Sequence, residues 1–182
     1  TTEHQGLELS IVVPLYNEEE SLPELVDQIK RALPSRSFEL IFVDDGSTDS
    51  SWNIIEQLVE ANKQIKGISL GVNQGKSYAL QAGFNEVQGQ YVVTMDADLQ
   101  DDPAEIEQML RTLESGYDLV SGWKKERFDP VSKTIPSKFF NWVTRRAAGI
   151  HLHDFNCGLK AYRADVLTHI QLYGELHRYI PL

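Results

Sequence analysis

Residues 91–98 read Tyr-Val-Val-Thr-Met-Asp-Ala-Asp, an apolar, β-branched run that stops at two carboxylates one residue apart. Such a run predicts a buried strand. The carboxyl end of a strand is where an open α/β sheet places its ligands. Asp96 and Asp98, flanking the small Ala97, would present two anionic oxygen ligands on one short turn. That donor set suits a hard divalent cation such as Mg²⁺ or Mn²⁺. A substrate diphosphate is the simplest source of the remaining oxygens, so the feature proposes metal-dependent chemistry on a nucleotide.

The elements that must position this pair alternate along the chain. Strands are predicted at Leu9–Val13, Phe38–Val43, Gly67–Leu70, Tyr91–Met95 and Tyr117–Ser121. Between them, Ser21-Leu-Pro-Glu24 predicts a capping box opening a helix to about Leu33. A second helix should run to about Ala61, and a third over 75–86 with Gly75, Ala79 and Gly83 on one close-packing face. Asp102-Pro103-x-Glu105 predicts the cap of a fourth. Repeated strand–helix units imply an α/β fold, a mostly parallel sheet flanked by helices. Beyond residue 122, 124–136 reads as loop, 137–148 as helix and 159–162 as a further strand. Three strand ends, Pro14–Glu18, Asp44–Asp49 and Asp96–Asp102, would then bring polar or acidic groups to one rim. Carboxylates gathered there are costly without a cation or a donor-rich ligand.

Two common nucleotide folds fail on spacing. A dinucleotide-binding unit needs G-x-G-x-x-G after its first strand, and Pro14-Leu-Tyr-Asn-Glu18 has no glycine. Gly75-Lys76-Ser77 resembles the end of a phosphate-binding P-loop, but Gly71 lies one residue too close for G-x-x-x-x-G-K-S.

Composition sets further bounds. The 182 residues are 41% hydrophobic and 24% charged, which fits one globular domain, 1–182. A lone cysteine, Cys157, excludes an internal disulfide and fits a reducing compartment. No apolar run approaches the roughly 20 residues of a membrane span. The apolar ending Tyr-Ile-Pro-Leu suggests a fragment of a longer protein. The net charge is −10, yet unevenly spread: residues 1–122 carry 7 basic and 22 acidic side chains, residues 123–150 carry 7 and 2. The acidic bulk argues against nucleic acid as a partner.

The motifs, taken in order, resemble a known family. Val-Val-Pro14-Leu-Tyr16-Asn-Glu18, Val-Asp44-Asp45-Gly-Ser-Thr-Asp49, Asn73-x-Gly75-x-x-x-Ala79-x-x-x-Gly83 and Met-Asp96-Ala-Asp98-Leu-Gln100 resemble the family 2 glycosyltransferases, with their Rossmann-like, nucleotide-sugar-binding GT-A fold. The run Asp96-Ala-Asp98-Leu-Gln100-Asp-Asp-Pro103 is similar to the polyprenyl-phosphate branch, which includes dolichol-phosphate mannose synthase. So are Ser137-Lys138-x-x-Asn141, Asp154-x-x-x-Gly158-x-x-Ala161-Tyr-Arg163 and Glu175-Leu-His-Arg178-Tyr-Ile-Pro181. One departure is Gly122-Trp123-Lys124, where many members carry Gly-Ser-Arg. The family's later basic segment and membrane helices are not in this sequence.

The resemblance implies roles. Residues 1–122 would form the nucleotide-sugar half and 123–182 the acceptor and membrane-proximal half. Tyr16 would stack on the nucleobase and Asp45 accept a hydrogen bond from it, with Pro14 and Glu18 in the same loop. Gly75, Lys76 and Ala97 would complete the donor site. Asp96, Asp98 and Gln100 would hold Mg²⁺ or Mn²⁺ and the diphosphate, neutralising the leaving group. A sugar-hydroxyl acceptor needs a positioned base, for which Asp102 or Asp154 would serve. A polyprenyl phosphate is already anionic and needs cations instead. Lys124, Lys125 and Arg127 would supply them on a loop, and Arg145 and Arg146 on the helix behind it. Phe139, Phe140 and Trp142 beside those charges fit an interfacial helix at a membrane surface. Asp154 matches a family motif without a definite role, and His151-Leu-His153 reads as incidental. The implied activity is inverting transfer of a hexose to a polyprenyl phosphate at the cytoplasmic membrane face. A family 2 enzyme with a saccharide acceptor, or a silent nucleotide-sugar-binding module, are the alternatives.

Overall fold

The computed structural model describes residues 6–122 and 157–167. The helix expected over 137–148, the loop at 124–136 and the basic island lie outside the described residues.

Among the described residues, six strands form one sheet, in the order β3-β2-β1-β4-β6-β5. They are β1 Leu9–Leu15, β2 Phe38–Asp44, β3 Ile65–Ser69, β4 Tyr91–Thr94, β5 Leu119–Ser121 and β6 Lys160–Arg163. β1 runs parallel to both β2 and β4, and β2 to β3. β6 alone is reversed, antiparallel to β4 and β5. The parallel strand–helix reading therefore holds for β1–β4. The last strand does not extend the sheet but inserts between β4 and β5.

Alternation of side chains along the strands divides the core in two. Ile11 and Val13 of β1, Leu40 and Phe42 of β2, and Val93 of β4 face one side. Helices α1 (Leu22–Ala32) and α4 (Glu105–Glu114) cover it through Leu25, Ile29, Ile106 and Leu110, and α2 (Ser51–Ala61) through Ile55. Val12, Ile41, Val43 and Val92 face the other side, against Ala79, Leu80 and Phe84 of α3 (Lys76–Phe84). The small-residue face of α3 has a visible purpose. A Cβ on Gly83 would stand 2.4 Å from Val12 Cγ1 and 3.2 Å from Val43 Cγ2, so α3 rests almost directly on β1 and β2.

Pro14 inside a central strand has a local explanation. Val12 O accepts from Met95 N and Leu15 O from Asp45 N, so alternation turns Pro14 toward β4, past that strand's last residue. Its missing N–H removes no ladder bond. Ser21 departs from the expected capping box. Its side chain caps no helix N–H and its hydroxyl donates instead to Glu18 O at 3.0 Å. Asp102 caps the turn as expected, Oδ1 accepting from Ala104 N at 2.9 Å, but α4 itself begins only at Glu105, past the expected first position Pro103. Among the described residues no helix is long and apolar enough to cross a membrane.

Candidate active site

Every parallel strand ends at the same rim, and the loops leaving β1, β2 and β4 meet there above the start of α3. A cleft of about 410 Å³ opens between them. Pro14, Leu15, Tyr16 and Glu18 line it from β1 and Asp45 from β2. Asn73, Gly75, Lys76 and Ala79 contribute from α3 and the loop before it; Asp96, Ala97 and Asp98 follow β4. Nine residues singled out from the sequence thus share one cavity: Pro14, Tyr16, Glu18, Asp45, Gly75, Lys76, Asp96, Ala97 and Asp98. Gln100 is exposed and outside that lining, its N–H donating to Asp98 Oδ1 at 3.1 Å. Lys124, Arg127 and Asp154 lie outside the described residues.

The loops after β1 and β2 are laced together. Asn17, held at φ 56°, donates its N–H to Ser47 Oγ at 2.9 Å, and its Oδ1 accepts from Thr48 N at 2.8 Å. Glu18 N donates to Ser51 Oγ at 2.9 Å and Ser50 N to Glu19 Oε2 at 2.7 Å. Asp44 is buried and folds onto its own turn, Oδ1 accepting from Ser47 N at 3.1 Å. Burial pushes the Asp49 carboxyl up, but hydrogen bonds from Ser51 and Glu19 outweigh it and hold Asp49 below its usual range. These side chains fasten the rim; sequence spacing did not separate them from ligand-facing carboxylates. Gly46 sits at φ +72°, and a Cβ there would meet Val72 C at 2.5 Å and Asn73 N at 2.6 Å. The β2 turn and the loop before α3 touch backbone to backbone.

Asp45 joins these loops electrostatically. Oδ1 accepts from Gln74 N at 2.7 Å and Oδ2 from Gly75 N at 2.9 Å. The carboxylate therefore sets the approach to α3, and the remaining lone pairs are what it could offer to a ligand. Tyr16 stands 45% exposed and lines the cleft.

Asp96 continues the alternation of Val92 and Thr94 onto the α3 side, where Lys76 Nζ donates to its Oδ1. The turn beyond is closed by Asp96 N donating to the buried Asp101 Oδ2 at 3.3 Å. Leu99 within it adopts φ 61°, a conformation a branched side chain takes only under constraint. Glu18 completes the acidic group. Burial raises its carboxyl pKa first, and the charges of Asp98, Asp49 and Asp96 add to that, against a hydrogen bond from Ser21.

Four carboxylates against one lysine make the cleft acidic, a poor home for a bare diphosphate. A divalent cation reverses that preference. Among the described residues, no three His, Cys, Asp or Glu side chains stand close enough together to hold a metal ion by themselves. Asp96 and Asp98 thus offer hard oxygens on one side only, the incomplete set that Mg²⁺-type ions complete with water and substrate phosphates. The residues present fit such an ion.

Comparison with known proteins agrees with this architecture. The model of glycosyl transferase family 2 matches residues 10–170. A dodecaprenyl-phosphate galacturonate synthase from Rhizobium johnstonii is 43% identical, the match covering 97% of this chain and 54% of that protein. An undecaprenyl-phosphate 4-deoxy-4-formamido-L-arabinose transferase from Shewanella sediminis is 40% identical over 96% of this chain and 54% of its own. The chain spans about half the length of the curated relatives it matches. Among solved structures, glucosyl-3-phosphoglycerate synthase from Mycobacterium tuberculosis with Mn²⁺, UDP and phosphoglyceric acid superposes at TM-score 0.71, with 22% identity. That match covers 90% of this chain and 58% of the synthase. A mannosyltransferase from Pyrobaculum calidifontis with GDP-Man and Mn²⁺ gives 0.67 and 20%, over 94% of this chain and 48% of its own. At those identities the structural likeness speaks for the fold.

Proposed function

From the premise that this chain belongs to glycosyl transferase family 2 and has the GT-A fold, we propose that it is the donor-binding part of a metal-dependent, inverting hexosyltransferase. The acceptor is a polyprenyl phosphate, met at the cytoplasmic face of a membrane. The observation that carries the reading is the single cleft holding Tyr16, Asp45, Lys76, Asp96 and Asp98. Its support on the acceptor side comes from two relatives that are named for dodecaprenyl phosphate and undecaprenyl phosphate.

The residues divide the work by chemistry. Tyr16 offers a stacking face for the base, and Asp45 holds the loop beside it while keeping acceptor capacity. Asp96 and Asp98 would hold Mg²⁺ or Mn²⁺, which would supply charge neutralisation to the departing nucleoside diphosphate. Lys76 places its own positive charge at the same wall, where it would face the developing leaving-group charge. A phosphate-monoester oxygen already carries the charge needed to attack the anomeric carbon. No general base is required of the cleft, and a single displacement inverts the anomeric centre. Lys124, Lys125 and Arg127 would hold the acceptor phosphate, and Asp154 would orient either a basic group or the sugar.

The test is a panel of UDP-glucose, UDP-N-acetylglucosamine, UDP-galacturonate and GDP-mannose, offered to the full-length protein with a short polyprenyl phosphate and Mn²⁺. A lipid-linked sugar from one donor supports the reading. Transfer only to a free saccharide hydroxyl replaces the acceptor, and hydrolysis of ATP instead would overturn the family's chemistry for this chain.

A further inference from the structure

The Asp154-x-x-x-Gly158 motif marked a glycine without saying what it is for, and the structure supplies a neighbour. A Cβ built on Gly158 would stand 2.4 Å from Asp96 Oδ2, 2.5 Å from Cγ and 2.8 Å from Oδ1. Ordinary carbon contacts begin near 3.5 Å, so every atom of that carboxylate obstructs a methyl group. Gly158 is not among the glycines with positive φ. Its backbone would accept alanine; only the space forbids it.

The wall that Gly158 belongs to has little freedom to retreat. Thr94 Oγ1 donates to Gly158 O at 3.0 Å, tying it to the end of β4. Gly122 N donates to Leu159 O at 2.9 Å, and Lys160 Nζ donates to Cys157 O. Cys157 and Leu159, on either side, are each 2% exposed in the core. On its opposite side the Asp96 carboxylate is held by Lys76 Nζ, and its own N–H is anchored on Asp101.

We propose that Gly158 is a positioning residue for Asp96: its missing side chain leaves the slot in which that carboxylate is held against Lys76. The insertion of β6 between β4 and β5 brings the slot into being, because it lays residues 157–159 across the end of β4. The functional consequence rests on the reading of Asp96 as a donor-site carboxylate; the slot itself does not.

A double-mutant cycle in the full-length protein separates the two. Thermal midpoints are measured for wild type, Gly158→Ala, Asp96→Ala and the double variant. Mn²⁺ binding with UDP and with GDP is followed by electron paramagnetic resonance. Gly158→Ala is expected to lower the midpoint by several degrees in the wild-type background, and by far less once Asp96→Ala has removed the obstructing atoms. It should also weaken Mn²⁺–nucleotide binding by about tenfold or more, the scale on which supporting residues act on metal sites. An equal midpoint loss in both backgrounds, or none in the first, overturns the slot. A normal Mn²⁺–nucleotide affinity in Gly158→Ala overturns the positioning role. Should Gly158→Ala not fold, a double variant that does fold supports the slot, and one that does not overturns it. If wild type binds Mn²⁺ with neither nucleotide, the proposed function fails while the thermal cycle still decides the slot.

Discussion

Asp45 holds Gly75 from across the cleft, its Oδ2 accepting the glycine N–H at 2.9 Å while Oδ1 takes the neighbouring Gln74 N–H at 2.7 Å. One side chain at the end of β2 thereby fixes the loop that delivers Lys76. Asp45→Ala should cost about 1–3 kcal/mol of stability through the two amides it strands. Nucleotide affinity should fall more than stability alone accounts for. Urea unfolding beside calorimetric titration of the nucleotide checks this; full nucleotide affinity would remove Asp45 from the donor site.

Asp98 is the exposed member of the acidic pair, and no cation contacts it among the described ion pairs. Asp98→Ala should leave the unfolding midpoint near wild type and abolish metal-dependent turnover. Turnover that survives with its metal dependence intact would assign the ion to other ligands.

Glu18 makes stability depend on pH. The folded chain raises its carboxyl pKa above the usual 4.5, first by burial and then by Asp98, Asp49 and Asp96. The folded state thus binds this proton more tightly than the unfolded one. Below 4.5 there is no penalty; stability is lost as pH rises from 4.5 through the raised folded value. Glu18→Gln should therefore gain on wild type between pH 4 and pH 7. An equal stability difference at both ends would contradict the assignment.

Gly83 tests the packing beneath the site. Its Cβ would stand 2.4 Å from Val12 Cγ1, so Gly83→Val overpacks the α3–sheet contact and should destabilise by about 1–3 kcal/mol. Denaturant melts measure it, and a neutral result would mean that α3 can slide.

What the sequence disclosed follows from the range of the forces involved. β1, β2 and β4 were legible because buried parallel strands write apolar runs, and their ends were legible because Pro14, Asp44 and Asp96 interrupt those runs. The gathering of Tyr16, Asp45, Lys76 and Asp96 followed from parallel topology together with the family resemblance. β6 was harder: four residues, Lys160–Arg163, carry little pattern, and their antiparallel place beside β4 is decided by long-range pairing. Ser21 misled because its motif fits a capping box, while its own backbone is already helical and its hydroxyl donates back to Glu18 O instead of accepting a helix N–H. Asp44 and Asp49 share a turn with Asp45, and only geometry separates those that fasten the turn from the one that reaches across. Gly158 could be noticed as a motif residue, but its neighbour Asp96 is visible only in three dimensions.

The claim that Asp96 and Asp98 serve transfer to a lipid phosphate is tested most directly by one assay. Full-length protein is given the labelled donor identified in the panel, a polyprenyl phosphate and Mn²⁺, and labelled lipid is counted with and without EDTA. The account predicts a lipid-linked product, lost with EDTA and regained when Mn²⁺ is returned in excess. Label carried to the lipid equally well in EDTA, or label found only on a saccharide hydroxyl, would contradict it.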